Sequence, residues 1–163
     1  MDLNYRGFFW FNVILFILVL IMIASAIFLI TRYSLKSTAQ ESLTIKDIRV
    51  DVIVAESPKD RARGLSGRTF LNEFQGMLFK TKTPESQIFW MKGMLIPIDI
   101  IWARSGVVVG AEVNVPPPEP NAPDIDLPQY PSPLPVDTVV EVSSGFVGRH
   151  HISPGDKVII TSS

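Results

Sequence analysis

Ile48-Arg49-Val50-Asp51-Val52-Ile53-Val54, running on through Ala55-Glu56-Ser57-Pro58-Lys59-Asp60-Arg61-Ala62-Arg63-Gly64, decides the fold. Ile48, Val50, Val52 and Val54 fall on one side of an extended chain, with Arg49 and Asp51 among the residues opposite. That period of two, in β-branched residues, predicts a half-buried strand. Beyond Val54 the pattern changes. Ser57 suits an N-cap, Pro58 the first helical position, and Asp60 stands three residues after the cap. Gly64 supplies a stop, so the helix is short, about two turns.

Toward the C-terminus the strand grammar repeats. Gly76-Met77-Leu78-Phe79, Gln87 to Lys92, Ile98 to Ala103 and Val107 to Val115 are short and rich in β-branched and aromatic residues. Ser105-Gly106 between the last two predicts a hairpin, and Ile96-Pro97 ends one strand before the next. Residues 116–135 differ: nine of these 20 are proline, with Glu119, Asp124 and Asp126 among them. Proline fixes φ and removes a donor, which predicts a stiff, extended loop and forbids a sheet interior. A strand near Thr138–Val142, a short helix around Gly145–His150, a Ser153-Pro154-Gly155-Asp156 turn and a strand over Lys157–Thr161 complete the chain. The lack of a long helix between strands argues against a parallel α/β sheet. The expected class is mainly β (α+β), a compact antiparallel sheet or small barrel with one or two short helices. No internal repeat is present.

Toward the N-terminus the solvent changes. Phe8 to Ile30 gives 23 positions without a charge, with Asn12 and Ser25 as the polar exceptions. As a helix that length spans roughly 35 Å, enough for a hydrocarbon core of about 30 Å. Arg6, Arg32 and Lys36 bracket it, and Phe8, Phe9, Trp10 and Tyr33 sit where aromatic residues favour the interface. Ala24-Ser25-Ala26 has the form of a signal-peptide cleavage site, but the apolar run continues through Ile27 to Ile30, longer than a signal h-region. The organisation expected is therefore a single transmembrane anchor over 1–36, a stalk over 37–47, and a β-rich domain over 48–162. Flanking charges are balanced and give almost no orientation. A short leading tail before a long C-terminal domain is the form of a signal anchor. A single-pass protein of the cell membrane, its domain extracytoplasmic and its partner the lipid bilayer, is expected.

Beyond residue 36 there are 15 acids (all 16 except Asp2) and 12 bases (all 15 except Arg6, Arg32 and Lys36). A net charge near −3 gives no reason to expect nucleic acid. The chain has no cysteine, which removes disulfides, a lipoprotein anchor, thiolate metal sites and a cysteine nucleophile. His150 and His151, adjacent beside a turn, point about 100° apart on a helix and make a poor chelating pair. No phosphate loop, His-Glu-x-x-His or Gly-x-Ser-x-Gly is present. No metal or cofactor is expected.

Arg61 to Asp99 is the informative stretch. Alternation along Phe89-Trp90-Met91-Lys92 puts Trp90 and Lys92 on one face, Phe89 and Met91 on the other. If 88–92 pairs with 98–102 as a hairpin, Lys92 and Asp99 meet at its closed end. Two readings compete. In one, Phe89 and Met91 fill the core, cationic stems cover Trp90, and Asp99 accepts hydrogen bonds as a structural lock. In the other, Trp90 is a platform flanked by Arg68 and Lys92 for an anionic or sugar-like ligand. Asp99 as a catalytic carboxylate needs a partner acid, for which Glu141 is the nearest choice.

These residues carry a resemblance. Arg61-Ala62-Arg63-Gly64-Leu65 with Arg68 and Leu71, Gly76-Met77-Leu78-Phe79, Phe89-Trp90-Met91-Lys92 and Ile96-Pro97-Ile98-Asp99 stand in a familiar order. So do Pro128-Gln129-Tyr130, Glu141-Val142 with Gly145, and Ile152 with Gly155-Asp156. Over about residues 48–160 the chain resembles the uncharacterised family called domain of unknown function 192. The resemblance implies one small β-rich domain, often exported, without an established activity. It points to Arg61, Arg68, Trp90, Lys92 and Asp99 as a candidate ligand site without assigning roles. Many relatives carry cysteines around the proline-rich loop; this chain has none there. The expected function is a membrane-tethered, non-catalytic ligand-binding or interaction module at the cell envelope. The alternatives are an envelope hydrolase using Asp99 and Glu141, or an accessory subunit of another membrane protein, for which Asn12 is the one polar hint.

Overall fold

The computed structural model describes residues 3–34 and 40–161, and the chain divides into two units, residues 1–37 and 38–163. The first contains one helix, α1 (Leu3–Ser34). It encloses the apolar run. Side chains in it are described for Trp10 and for residues 13–27. Among the described residues no helix is long and apolar enough to cross a membrane. The helix is shown; the crossing is not.

Among the described residues the second unit has nine strands. In chain order they are β1 (Gln40–Ile45), β2 (Ile48–Val54), β3 (Gln75–Glu85), β4 (Ile88–Trp90), β5 (Ile98–Arg104), β6 (Val107–Val115), β7 (Gln129–Pro131), β8 (Val136–Ser143) and β9 (Val158–Thr161). Two short helices join them, α2 (Pro58–Arg63) and α3 (Phe146–Arg149). Seven strands form one sheet in the order β6-β5-β8-β3-β2-β1-β9, while β4 and β7 make a separate ribbon. The sheet curls until its edges touch. Val107 bridges Lys157, and the Val158 N–H donates to the Gly106 carbonyl at 2.8 Å. The expected mainly β class is observed, as a sheet partly closed into a barrel.

Three details differ from the sequence expectation. Residues 40–45, assigned to a stalk, are β1, paired with both β2 and β9; residues 37–39 lie outside the described residues. β2 and β3 run parallel, because the 20 residues between them, α2 included, are long enough for a crossover. The third concerns β4, which pairs antiparallel with β7 across the proline-rich loop and not with β5. The Ser105-Gly106 hairpin is present, with φ of 51° and 74° as a two-residue turn of right-twisted strands requires.

β3, β5 and β8 are buried on both faces. Leu78, Ile101, Val140 and Val142 face one apolar cluster with Leu43, Val50, Val52 and Phe146 of α3. Their sequence neighbours Phe79, Ile100, Trp102 and Val139 face a second, under Leu65, Met91 and Met94. Period two in a strand sends neighbours to opposite faces. Each fully buried large side chain contributes about 1.5–3 kcal/mol. The second face, covered by the α2–β3 connection and by the β4–β7 ribbon, holds the candidate site.

Candidate functional site

The site begins with the helix that the sequence punctuates most clearly. Ser57 caps α2: its Oγ accepts from the Asp60 N–H at 3.1 Å, and Asp60 Oδ2 accepts from the Ser57 N–H at 3.2 Å. Gly64 ends it at φ 54°, ψ −138°, a conformation that suits glycine. The turn drops Leu65 into the core beneath the helix and brings Gly64 and Leu65 over β8.

The opposite wall is β4. Phe89 meets Phe79 edge-on, centroids 4.9 Å apart, and Trp102 at 5.5 Å. With Phe89 pinned and Met91 buried, alternation turns Trp90 outward, 43% exposed. Lys92 joins it: Nζ lies 5.3 Å from the Trp90 ring centroid and binds Asp124 of the proline-rich loop. The wall is tied to the turn after α2 by the Gly67 N–H, which donates to the Gly93 carbonyl at 2.9 Å. Gly93 must be glycine here. Its φ is 66°, and a Cβ would lie 2.3 Å from Ser66 Oγ.

Glu141 of β8 is the floor. It is 5% exposed, and its Oε2 has no hydrogen-bond partner. Among the described residues the other buried side-chain polar atom without one is Trp102 Nε1. Burial pushes the Glu141 carboxyl up to about 8, against a hydrogen bond from the Leu65 amide that favours the ionised form. An orphaned carboxyl oxygen in a stable interior carries a desolvation cost of about 1–3 kcal/mol. Above it is a cavity of about 20 Å³, lined by Arg61, Arg63, Trp90, Lys92 and Met94 among others. That is room for roughly one water. A wider hollow of about 260 Å³ shares Arg61, Ala62, Phe89 and Trp90 with it and adds Gln87 and Ile88. Together they form a groove between α2 and β4.

The structure thus brings together Arg61, Trp90 and Lys92 of the expected site, over Glu141. The Arg61 guanidinium donates to the Lys80 carbonyl at 3.1 Å. Arg68 is elsewhere, in a hollow with Asp51, Leu71 and Gln75. It therefore does not flank Trp90. Asp99 is fully buried and locked: Oδ1 accepts from the Asn114 and Gly145 amides at 2.8 and 3.0 Å, Oδ2 from the Val147 amide at 2.9 Å. The expected meeting of Lys92 and Asp99 fails with the hairpin on which it depended.

The hydrolase pair fails as well. Asp99 stands opposite Val142 and Ile100 opposite Glu141, so Asp99 and Glu141 lie on opposite faces of the sheet and cannot share a substrate. His150 turns to Glu73, Nε2 to Oε1 at 3.2 Å. No group of three or more metal-ligating side chains is found among the described residues. Larger hollows of about 360 and 570 Å³ lie along the proline-rich loop. None of the residues lining them has an orphaned buried polar atom, so size alone does not select them.

The family model described as an uncharacterized ACR family, domain of unknown function 192, matches residues 41–160. The chain belongs to this family. No curated protein matches. Two solved structures are similar to this member of the domain of unknown function 192 family. A Sinorhizobium meliloti 1021 protein, provisionally described as a transcription regulator, is 27% identical with a TM-score of 0.67, over 78% of this chain and 98% of that one. A protein of unknown function from Novosphingobium aromaticivorans DSM 12444 is 30% identical with a TM-score of 0.62, over 72% of this chain and 82% of that one. Both likenesses agree with the family's single β-rich domain.

Proposed function

We propose that this family member is a membrane-tethered, non-catalytic binding module whose site is the groove between α2 and β4. One observation carries the binding reading: a buried carboxyl, Glu141, keeps an unpaired oxygen under a cavity rimmed by Trp90, Arg61 and Lys92. Buried polar atoms are almost always paired within the protein. An unpaired one facing a groove with an aromatic wall is what a ligand-binding site requires. No second titratable carboxyl lines this cavity, so acid–base hydrolysis is not the reading favoured. The tether rests on the 23 uncharged positions from Phe8 to Ile30 within α1, and the signal-anchor form favours an extracytoplasmic domain. The regulator description of the S. meliloti relative is not carried over, since residues 37–163 are net acidic.

A thermal-shift screen of the full chain in lipid nanodiscs tests the binding reading. A ligand that binds only the folded form raises Tm by mass action. Hits that Trp90→Ala abolishes are expected. A broad screen whose hits ignore that substitution, or that gives none, overturns it. Carbonate extraction of membranes tests the tether: the chain should stay in the pellet, and release to the supernatant refutes it.

A further inference from the structure

We infer that the ligand of this groove is an uncharged, hydroxylated ring, a saccharide residue laid against Trp90 with one hydroxyl directed at Glu141 Oε2. The inference rests on the binding reading above and narrows it from an anionic or sugar-like ligand to one class.

Two of the three cations that line the groove are already engaged; Arg63 is the third. Lys92 is already held by Asp124 and by the face of Trp90. Arg61 is held by the Lys80 carbonyl and lies 5.9 Å from the Phe79 ring centroid. An anion would have to break these contacts before gaining its own.

Size decides next. The deep end, about 20 Å³, admits one water-sized group. A hydroxyl fits that space; a phosphate does not. A hydroxyl also donates and accepts, so it can satisfy Oε2 whether Glu141 is protonated or ionised. The outer hollow, about 260 Å³, takes a single ring. Its walls have the two surfaces a sugar presents. Trp90 and Ile88, on one face of β4, meet the apolar CH face, and Gln87, whose Nε2 donates to Glu85 Oε1 at 2.8 Å, keeps its amide oxygen for a hydroxyl at the rim. The Gln87 backbone is fixed there: its N–H donates to Ser132 Oγ at 3.1 Å, and its carbonyl accepts from the Ser132 N–H at 2.8 Å.

The test compares rings that differ in charge. Full chain in lipid nanodiscs is titrated by saturation-transfer NMR with cellobiose and N,N′-diacetylchitobiose, then with glucuronate and glucose 6-phosphate. The neutral sugars should bind, Trp90→Ala should abolish the signal, and Glu141→Leu should weaken binding at least tenfold. Glu141→Gln, which keeps a donor and an acceptor in place, should retain binding within about threefold. Trp90-dependent binding of the charged rings alone overturns the ligand class and leaves the groove as a binding site. No Trp90-dependent binding of any ring also overturns it, and the binding reading falls with it only if the broad thermal screen too gives no hit that Trp90→Ala abolishes.

Discussion

Asp99 and Glu141 are two buried carboxyls on adjacent strands, one residue apart in register, and the domain treats them in opposite ways. Asp99 accepts from three backbone amides that fasten β6 and the start of α3 to β5. Every donor it meets is protein. Glu141 points to the other face, meets the Leu65 amide, and leaves Oε2 unpaired below a groove. Burial therefore does not distinguish the amide-locked carboxyl from the one proposed to meet a ligand. The count of hydrogen bonds that the protein itself supplies does.

The comparison breaks first at Asp99. Asp99→Ala removes the acceptor of three part-buried amide donors, at roughly 1–3 kcal/mol each. That loss is comparable with the whole stability of a domain, so urea unfolding should show a domain unfolded or nearly so. A loss below about 1 kcal/mol would remove the lock.

Glu141 should show the opposite behaviour, and through pH. Its folded pKa, about 8, is raised above the ordinary 4.5. The folded state holds a proton that the unfolded state has released between these values, so stability is full below pH 4.5 and falls as pH rises to about 8. The difference is on the order of 5 kcal/mol. Glu141→Gln, unable to ionise, should be more stable than the natural protein at pH 8 and close to it at pH 4.5. Equal pH slopes in the two proteins would contradict this.

Smaller effects sharpen the walls of the groove. Gly64→Ala adds a Cβ at an ordinary 3.5 Å from Glu141 Oε2, so its cost, about 1–2 kcal/mol, comes from the positive φ. Ser57→Ala removes the cap that sets α2 in place and should cost about 1 kcal/mol in the same unfolding assay. Lys92→Ala breaks a half-exposed pair with Asp124 and should cost less than about 1 kcal/mol.

Local grammar was legible in the residues, and distant pairing was not. The alternation of β2 and the Ser57-to-Gly64 punctuation of α2 stand in the structure as read, because each depends on neighbours a few residues away. β1 escaped because Leu43 and Ile45 are its only buried apolar residues, too few to mark a strand by period. The partner of β4 escaped because it lies some 40 residues on, in a proline-rich segment whose three-residue strand sits in a ribbon outside the main sheet. That one pairing separated Lys92 from Asp99. Glu141 was nearer to hand, since it shares the parity of Val139, whereas Val140 and Val142 face the other way. What the residues did not reveal is that Leu65 and Trp90 would close over it.

The most direct test is a ¹³C NMR titration of the Glu141 side-chain carboxyl in the full chain without ligand, with Glu141→Gln identifying the resonance. A midpoint near 8 is predicted for a buried carboxyl under-supplied with donors. A midpoint near 4.5 would mean that Glu141 is solvated or paired like any surface glutamate, and the groove would lose the feature that singles it out.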